Sequence, residues 1–274
     1  MKKYILYISF MVSLIAFTSC YQDLGQDPPF DYPEEVIPQY NPQKLLFTFE
    51  GNVKNVSGYK VPTLSKGNIT YTEGKKGKAY QGGEGTYVLI SPRTPRFAGD
   101  ISLKDTIANL GSFTVAFWMN CPQVNKGTGI FSISNTKNFW GNLDIFLDGN
   151  QTAGEGRFKV FLRNGGKDKW VEKKFSGTID EWVHMTFRYN SKTEKFDILK
   201  NGEEVFATTL TGWGRITCND MGDLVLGTFS FQTDPPQSSA KAQTWAQSFP
   251  GKLENFAFYN KALTDEQIKA LYNE

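Results

Sequence analysis

The chain has 274 residues, of which 26 are glycine and 15% are aromatic, and its charges nearly balance at +2. A total this close to neutral does not suggest a nucleic-acid partner, because proteins that bind nucleic acids carry an excess of basic residues. The length suits one large all-β domain with a tail, or two small domains, and the composition is typical of many short strands joined by tight turns.

Residues 1–19 have the pattern of a secretory signal peptide. Two lysines precede an apolar stretch over residues 4–19. As a helix this stretch would cover roughly 24 Å, less than the roughly 30 Å core of a bilayer, so a signal peptide is favoured over a spanning helix. The following "AFTSC" resembles a bacterial lipobox, in which Cys20 is acylated and becomes the mature N-terminus. A plain secreted protein cleaved nearby is the alternative.

Residues 20–42 contain five prolines and five acidic residues but no Lys or Arg. Proline stiffens a chain and like charges extend it, so we expect a tether that carries the lipidated cysteine. Acids soon after such a cysteine resemble the surface-export signal of outer-membrane lipoproteins in glycan-degrading Gram-negative bacteria; an ordinary acidic spacer is the alternative. The resemblance implies a protein anchored in outer-membrane lipid through acylated Cys20 and facing the cell surface.

Strand patterns alternate with turn signals over residues 43–274. In "SFTVAFWMNC", apolar residues at alternate positions fall on one face of a strand. In "KFDILKNGEEVFATTL", Asn201-Gly202 supplies the positive φ angles of a type I′ hairpin turn. Many strands at regular spacing, with almost no helix, predict an all-β fold built as a two-sheet antiparallel β-sandwich.

One clear helix pattern closes the sequence, in "ALTDEQIKALYNE". Thr264 and Gln267 have the spacing of a capping box, and Leu263 and Ile268 that of a hydrophobic staple. Ile268 and Leu271 fall on one side of the helix, so we expect this short C-terminal helix to pack on the edge of the sandwich.

Three parts of the sequence together resemble a known family. They are "LLFTFEGN" at the start, "SFTVAFWM", "EWVHMTFRYN" and "GDLVLGTF" in the middle, and "PGKLENFAFYNKALTDEQIKALY" at the end. They resemble the laminin-G-like, concanavalin A-like lectin/glucanase domain family in its bacterial form, over residues 43–274. The resemblance implies a concanavalin A-like jelly roll. That fold hosts lectins, carbohydrate-binding modules, hydrolases, lyases and adhesive modules, so function must be argued from the site.

The sequence lacks the acidic motif of the glucanases in this family. Those enzymes carry an E-x-D-x-x-E strand, which holds two carboxyl groups roughly 5–5.5 Å apart. Asp144 and Asp148 fall on one strand face about 13 Å apart, too far for either glycosidase mechanism. We therefore expect no enzymatic activity and no catalytic residues, with a pair assembled from separate strands as the alternative. His184, the only histidine, is expected to be a half-buried framework residue bonded to its neighbours.

Many relatives hold a structural Ca²⁺ between an acid of the first strand and an acid of the last. By resemblance, the matching metal residues here are Glu50, Asn52, Glu254 and Asn255. Calcium prefers six to eight oxygen ligands, and Glu50 replaces the usual Asp while Asn255 replaces a second acid. The resemblance implies a stabilising ion, and two solvated strand-end acids are the alternative.

Four tryptophans in segments expected to be loops are candidates for stacking on sugar rings; for each of them, a ring that only covers its own loop is the alternative. Sugar pockets combine a few aromatic rings with amides, acids and guanidinium groups. The candidate glycan-binding residues are Trp140, Asn138, Asn142, Trp170, Trp213, Arg215 and Trp245. The expected geometry is a groove with exposed, coplanar indoles near amides, and the long "TFSFQTDPPQSSAKAQTWAQSFPG" loop is the expected functional insertion.

The sequence thus predicts non-catalytic glycan binding by a surface-anchored lipoprotein, with a polysaccharide or other glycan as ligand. By resemblance, it would serve polysaccharide capture beside other outer-membrane uptake proteins. Two alternatives stay open: a hydrolase or lyase of the same fold, and a protein-binding adhesive or assembly module. Cys121 and Cys218 are compatible with a disulfide or with two buried thiols, and without a Cys/His cluster a zinc site is not expected.

Overall fold

A computed structural model describes residues 40–59, 61–93, 102–149 and 152–274. The predicted signal peptide, the lipidation site Cys20 and nearly all of the predicted tether lie outside these residues. No helix in the described ranges has the length and hydropathy that crossing a membrane requires. Residues 41–274 form one unit by their internal contacts.

Sixteen strands and two α-helices make up the described part of this unit. In chain order the elements are β1 (Gln43–Phe47), β2 (Thr63–Lys66), β3 (Thr70–Glu73), β4 (Lys78–Gln81), β5 (Tyr87–Ile90), α1 (Leu103–Ala108), β6 (Phe113–Asn120), β7 (Gly127–Ile133), β8 (Leu143–Leu147), β9 (Glu155–Asn164), β10 (Lys167–Ser176), β11 (Val183–Asn190), β12 (Lys195–Lys200), β13 (Glu203–Thr209), β14 (Leu224–Leu226), a 3₁₀ turn (Ser230–Gln232), β15 (Ala246–Ser248), β16 (Lys252–Tyr259) and α2 (Asp265–Asn273).

The strands form two sheets of eight, as the sequence predicts. Sheet A has the order β13-β12-β11-β6-β16-β4-β3, with β1 paired to β16. Sheet B has the order β10-β9-β8-β7-β14-β5-β2, with β15 paired to β7. All the strand pairs are antiparallel except β15 with β7. The fold is a β-sandwich jelly roll, which confirms the predicted class.

The core lies between the inner faces of the two sheets. In β6 the alternating residues Phe113, Val115, Phe117 and Met119 are all buried in it, which confirms the predicted strand face. Phe131 from sheet B reaches the ring of Phe256 from sheet A, with centroids 4.9 Å apart. Interdigitation of large side chains from both inner faces is what holds a sandwich together.

Helix α2 covers the outer face of sheet A. Its capping box forms as predicted, with Thr264 accepting from the Gln267 amide and the Gln267 side chain bonding back. Ile268 is fully buried against Leu199 of β12 and Ala257 of β16. Because β16 lies in the middle of the sheet and β12 is not an edge strand, the helix packs on a sheet face, and the predicted position at the sandwich edge is wrong.

His184 differs from the expected half-buried, bonded residue. It is 2% exposed, and its ring lies 5.3 Å from that of Trp118 and 6.3 Å from that of Tyr272. Its Nδ1 has no hydrogen-bond partner among the described residues. Burial lowers the pKa of His184 to about 4, so this imidazole is a neutral part of the packing under α2.

The structure also tests the predicted hairpin turn at Asn201-Gly202 and the state of the two cysteines in the sandwich. Asn201 and Gly202 have φ angles of 52° and 81°, as the predicted hairpin turn requires. Cys121 and Cys218 are both buried free thiols, so they do not form the disulfide that the sequence left as one of two alternatives. Burial raises the pKa of both thiols, that of Cys218 to about 12.

Candidate functional site

The outer face of sheet B brings most of the sequence-predicted sugar ligands together. Strands β9 and β10 pair in a register that sets Phe161 opposite Trp170 and Arg163 opposite Asp168. Successive side chains of a strand alternate between faces, so these four side chains share one face. Their sequence neighbours on β9 point into the sandwich core, which makes this the outer face.

Eight aromatic rings form a continuous cluster on this face, here called the outer aromatic cluster. Its members are Phe139, Trp140, Phe146, Phe161, Trp170, Phe229, Phe231 and Trp245. Trp140 is at its centre and stacks on Phe146 with centroids 5.6 Å apart and planes at 11°. Trp170 and Trp245 are 44% and 42% exposed, so the cluster ends in two accessible indoles.

The sequence predicts coplanar indoles, but the three indoles of the cluster are not coplanar. Trp140 and Trp170 meet at 88° with centroids 4.8 Å apart, while Trp140 and Trp245 are tilted by 43° at 6.0 Å. Edge-to-face contact is favoured because the positive edge of one ring meets the negative face of the other. Trp170 also lies within β10, not in a loop, so its indole is presented by a paired strand.

The long insertion before the last strand has a defined structure. It contains the 3₁₀ turn and β15, which pairs with β7. Gln232 clamps the insertion, because its Nε2 donates to the carbonyls of Gln243 and Ala246 at 2.9 Å each and its Oε1 accepts from the Gln243 amide. This clamp holds Trp245 against the outer aromatic cluster.

A polar pocket of about 350 Å³ adjoins the cluster. Arg163 links the two, because its guanidinium binds both carboxylate oxygens of Asp168 at 2.8 and 2.9 Å and donates to the Trp140 carbonyl at 3.4 Å. The hydrogen bond that Arg163 donates to Asp168 raises the pKa of Arg163, so the guanidinium stays charged. The pocket is lined by Asn135, Asn138, Asn142, Arg163, Gly165, Gly166, Asp168, Thr217, Asn219 and Asp220.

The two predicted asparagines have different places in this pocket. Asn142 is 2% exposed, and its amide is fully used: Nδ2 donates to the carbonyls of Ser134 and Asn219, and Oδ1 accepts from the Asn219 amide. It builds the pocket wall. Asn138 is half-buried and donates to Asn135 Oδ1 at 3.1 Å, which orients it at the rim.

Trp213 and Arg215 do not join this site. Trp213 is half-buried and packs against the sandwich core, and its carbonyl accepts from Asn164 Nδ2 at 2.7 Å. Arg215 lies over Gly111 and donates to the Asn109 carbonyl at 3.3 Å. The contacts of both residues therefore hold the loop that precedes β14 against the rest of the sandwich.

Sequence reasoning missed Arg163, Asp168, Asn219 and Asp220. For the first two a signal existed: "RNGGKD" is a glycine turn between two alternating runs, and its register places the guanidinium opposite the carboxylate. Asn219 and Asp220 reach the pocket from a distant loop, through contacts that local sequence patterns do not show.

Two acids near this face have opposite surroundings. Asp144 is 1% exposed and accepts from the Ser132 hydroxyl and the Gly141 amide, and burial raises its pKa to about 6. Asp148 is only partly buried. This burial by itself would raise its pKa, but the hydrogen bond and the charge of Lys159 lower the pKa below its usual value. The acid with the raised pKa is therefore enclosed.

The predicted calcium residues lie around the turn between β3 and β4. The Glu254 carboxylate accepts the amides of Lys75 and Lys76, and Glu50 Oε1 accepts the amide of Lys78 at 3.0 Å. Burial, and then the charge of Glu50, raise the pKa of Glu254. The two carboxylates thus flank one turn.

The oxygen atoms in this arrangement already accept hydrogen bonds from the backbone, so few of them are free to bind a cation. Three backbone N–H groups point at the carboxylates, and Asn52 Oδ1 already accepts the Lys54 amide at 2.9 Å. Asn255 is at a bulge with φ 49°. Within the described residues, no group of three or more His, Cys, Asp or Glu side chains could hold a metal ion. The residues present fit calcium poorly, and its binding stays a prediction.

The two-sheet sandwich, with its closing strand and helix, defines a jelly-roll domain of the lectin-like class. A family profile described as the concanavalin A-like lectin/glucanases superfamily matches residues 96–269, more than half of the chain. The chain therefore belongs to this superfamily, as the sequence pattern predicts. No curated protein sequence matches the chain.

Solved structures with the same fold include several toxin binding domains. The receptor binding domain of botulinum neurotoxin C/D mosaic serotype is 14% identical with a TM-score of 0.59, covering 85% of this chain and 51% of that chain. The binding domain of Paraclostridial mosquitocidal protein 1 is 13% identical with a TM-score of 0.60, covering 85% and 52%. The binding domain of botulinum neurotoxin DC in complex with rat synaptotagmin II is 15% identical with a TM-score of 0.58, covering 85% and 51%. The chain spans about half the length of these structures, and at this identity the likeness shows the fold alone.

Proposed function

We propose that this protein binds glycan without cleaving it, on the outer face of sheet B, where Trp170 adjoins the polar pocket. One observation carries the proposal: the 44% exposed indole of Trp170 shares its strand face with the Arg163–Asp168 pair, two positions away along β10. An aromatic ring beside fixed donors and acceptors is what a pyranose requires, since its C–H face stacks and its hydroxyls hydrogen-bond.

The groups of this site are held in place before a ligand arrives. Trp170 packs against Trp140 and Phe161, with centroids 4.8 and 4.9 Å away. Arg163 is fixed by Asp168 and by the Trp140 carbonyl. Side chains that are already ordered lose little conformational entropy on binding, so more of the contact energy remains as affinity.

The acids of this face support binding rather than cleavage. A glycosidase needs one carboxyl group with a raised pKa in contact with the substrate. Asp144, which has such a pKa, is buried, whereas the accessible acids Glu172 and Asp148 form ion pairs with Arg157 and Lys159 and have pKa values below their usual range. Ion pairing favours the charged form, which is the wrong form for a general acid.

The anchoring predictions belong to the same proposal. Acylation of Cys20, the acidic tether and the location on the outer-membrane surface would keep a binding face at the cell exterior, beside uptake proteins that take over the polysaccharide. The stabilising calcium at Glu50 and Glu254 that the resemblance implies stays a separate prediction, which the residues present fit poorly and on which the binding face does not depend.

Protein binding is the second candidate, because two exposed indoles continue into one apolar cluster and tryptophan is frequent at interface hot spots. Neurotoxin domains of this fold have been solved in complex with SialylT and with synaptotagmin II. A glycan ligand is favoured here by the polar pocket beside the indole.

A glycan array probed with the purified protein tests the proposal. We expect a specific hit that Trp170→Ala abolishes and that Trp213→Ala, the matched change outside the site, leaves intact. Incubation of the bound glycan with the protein, followed by chromatography of the products, checks the non-catalytic part. No hit, or a hit insensitive to Trp170→Ala, contradicts the site; shortened products contradict the absence of cleavage.

A further inference from the structure

A second polar group lies on the same face of sheet B, at the other side of Trp170. It consists of two cations and two carboxylates that bind each other, here called the distal ion-pair cluster: Asp148, Arg157, Lys159 and Glu172. Lys159 Nζ lies 2.7 Å from Asp148 and 3.4 Å from Glu172, and Arg157 Nη1 lies 3.2 Å from Asp148. All four side chains are partly exposed, so they are accessible to a ligand.

Strand alternation places this cluster in line with the proposed sugar site. Along β9, Arg157, Lys159, Phe161 and Arg163 are two positions apart and share the outer face. A strand advances roughly 3.3 Å per residue, so Lys159 and Arg163 are about 13 Å apart and Arg157 and Arg163 about 20 Å. Along the outer face of β9, the aromatic ring of Phe161 therefore lies between the charged side chains of Lys159 and Arg163.

We infer that this face binds an internal stretch of a polysaccharide chain lying along β9 and β10; the inference rests on the proposed function. One sugar would stack on Trp170, its neighbours on one side would reach the Arg163–Asp168 pair, and those on the other side the distal ion-pair cluster. A single sugar on Trp170 cannot contact both polar ends across this span. A chain with hydroxyls on every ring can.

The edge of the sheet leaves this track open. Strand β10 is the last strand of sheet B, and eight of its ten residues are exposed. A ligand lying on the track is therefore not confined to its terminal sugar, as it would be in an enclosed pocket. Recognition of an inner stretch of a long chain follows from this shape.

The charges of the track favour an uncharged chain. Arg157, Lys159 and Arg163 are each paired with carboxylates on the same face. An acidic polymer would have to compete with those carboxylates, and their negative charges would repel it. Hydroxyl groups instead donate to carboxylate lone pairs and accept from guanidinium N–H groups without separating the pairs. Lys174, beyond the cluster, adds one further cation, 3.5 Å from Thr152 Oγ1.

Calorimetry with linear neutral oligosaccharides tests the inference. The probes are gluco-, manno- and xylo-oligosaccharides, from the monosaccharide to the hexasaccharide, with polygalacturonate as the acidic polymer. We expect affinity to keep rising beyond the disaccharide in one neutral series. The variants Lys159→Met and Glu172→Gln should bind the hexasaccharide about three- to tenfold more weakly than wild type, because each loses one or two hydrogen bonds to it. Their affinity for the disaccharide should stay unchanged.

Lys269→Met is the matched control, because Lys269 forms an exposed ion pair with Glu203 on the sheet A side. It should leave all affinities unchanged, and circular dichroism should show that each variant is folded. Affinity that is flat beyond the disaccharide, or unaffected by the two cluster variants, overturns the inference but leaves the proposed function intact. Tighter binding of polygalacturonate overturns the uncharged class. Failure of every neutral probe to bind also overturns the inference, whereas the glycan array decides the proposed function separately.

Discussion

The indoles of Trp140 and Trp170 meet edge to face, with centroids 4.8 Å apart and planes at 88°. Trp140 is half-buried and also contacts the rings of Phe146, Phe161 and Trp245, whereas Trp170 is 44% exposed. One indole therefore supports the outer aromatic cluster, and the other presents its surface to solvent.

This difference predicts separate effects of the two alanine substitutions. Trp140→Ala should lower the free energy of unfolding by about 2–4 kcal/mol, because it removes the centre of a packed aromatic cluster. Trp170→Ala should cost less, about 1–2 kcal/mol, since nearly half of the ring is already in water. Urea denaturation followed by circular dichroism measures both. Equal losses from the two substitutions would contradict the assignment of one support and one contact residue.

The β6 and α2 patterns were predictable from sequence because their signals are local. Alternation in "FTVAFWM" and the Thr264–Gln267 capping box involve residues a few positions apart, and both formed as predicted. The sequence around Trp170 predicts a loop, because β10 is an edge strand with polar residues on both faces and the alternation that marks a strand is weak there. Its pairing with Phe161 appears only once the hairpin register is known.

The insertion before β16 shows the other limit of sequence reasoning. Its glycine-, proline- and serine-containing run suggested a loop without structure, yet the side chain of Gln232 bonds to residues 11 and 14 positions later. The packing of Trp245 on Trp140 joins segments 105 positions apart in the sequence. No local pattern encodes contacts at such separation, so the sequence named these tryptophans without showing that they meet.

Arg188 anchors helix α2 to sheet A and should be essential to stability. It binds both carboxylate oxygens of Asp197 at 2.9 and 2.7 Å, donates to the Leu263 carbonyl at 2.6 Å, and lies 2.7 Å from Asp265. Asp197 is 1% exposed. Arg188→Met leaves this carboxylate buried without its main cation, so we expect a loss of about 3–5 kcal/mol in urea denaturation.

Lys269→Met is the control for Arg188→Met, because the Lys269–Glu203 pair is exposed on both sides and such pairs contribute about 0–1 kcal/mol. A similar, small loss in both variants would show that Asp197 reaches solvent once Arg188 is gone.

His184 should make the fold sensitive to acid. Its pKa in the folded state is about 4, against the usual 6.5, because burial disfavours the imidazolium. Between these two values the unfolded chain takes up a proton that the folded protein does not, so this contribution to stability falls as the pH decreases from 6.5 to 4. His184→Phe removes the effect. Between pH 7 and 4, the difference in unfolding free energy between wild type and variant should change by about 3 kcal/mol in the variant's favour.

Asp144 acts in the opposite direction over an overlapping range. Burial raises its folded pKa to about 6 from 3.8, so the folded protein holds a proton that the unfolded chain releases between these values. Its contribution is therefore present at low pH and is lost as the pH rises through 6. Asp144→Asn should lose stability more steeply in acid than wild type does. Urea midpoints collected from pH 4 to 7 for both single variants measure the two slopes, and parallel curves would contradict the opposed titrations.

Glu254 holds the turn between β3 and β4, and its replacement should loosen that turn. It is 1% exposed and accepts the amides of Lys75 and Lys76. Glu254→Gln replaces one acceptor oxygen by an NH₂ group that faces an N–H donor, so we expect a loss of about 1–3 kcal/mol. Glu73→Gln, an exposed acid on the same hairpin, is the matched control and should change stability little.

Melting curves of wild type and Glu254→Gln in calcium chloride and in EDTA extend this test to the predicted metal. Bound calcium stabilises only the folded state, so it would raise the Tm of wild type by an amount that grows with the logarithm of the calcium concentration above the Kd. A calcium-dependent rise that Glu254→Gln abolishes would locate the ion beside this carboxylate, in competition with the Lys75 and Lys76 amides. Superimposable wild-type curves would contradict the calcium prediction, and would leave those amides as the partners that hold Glu254.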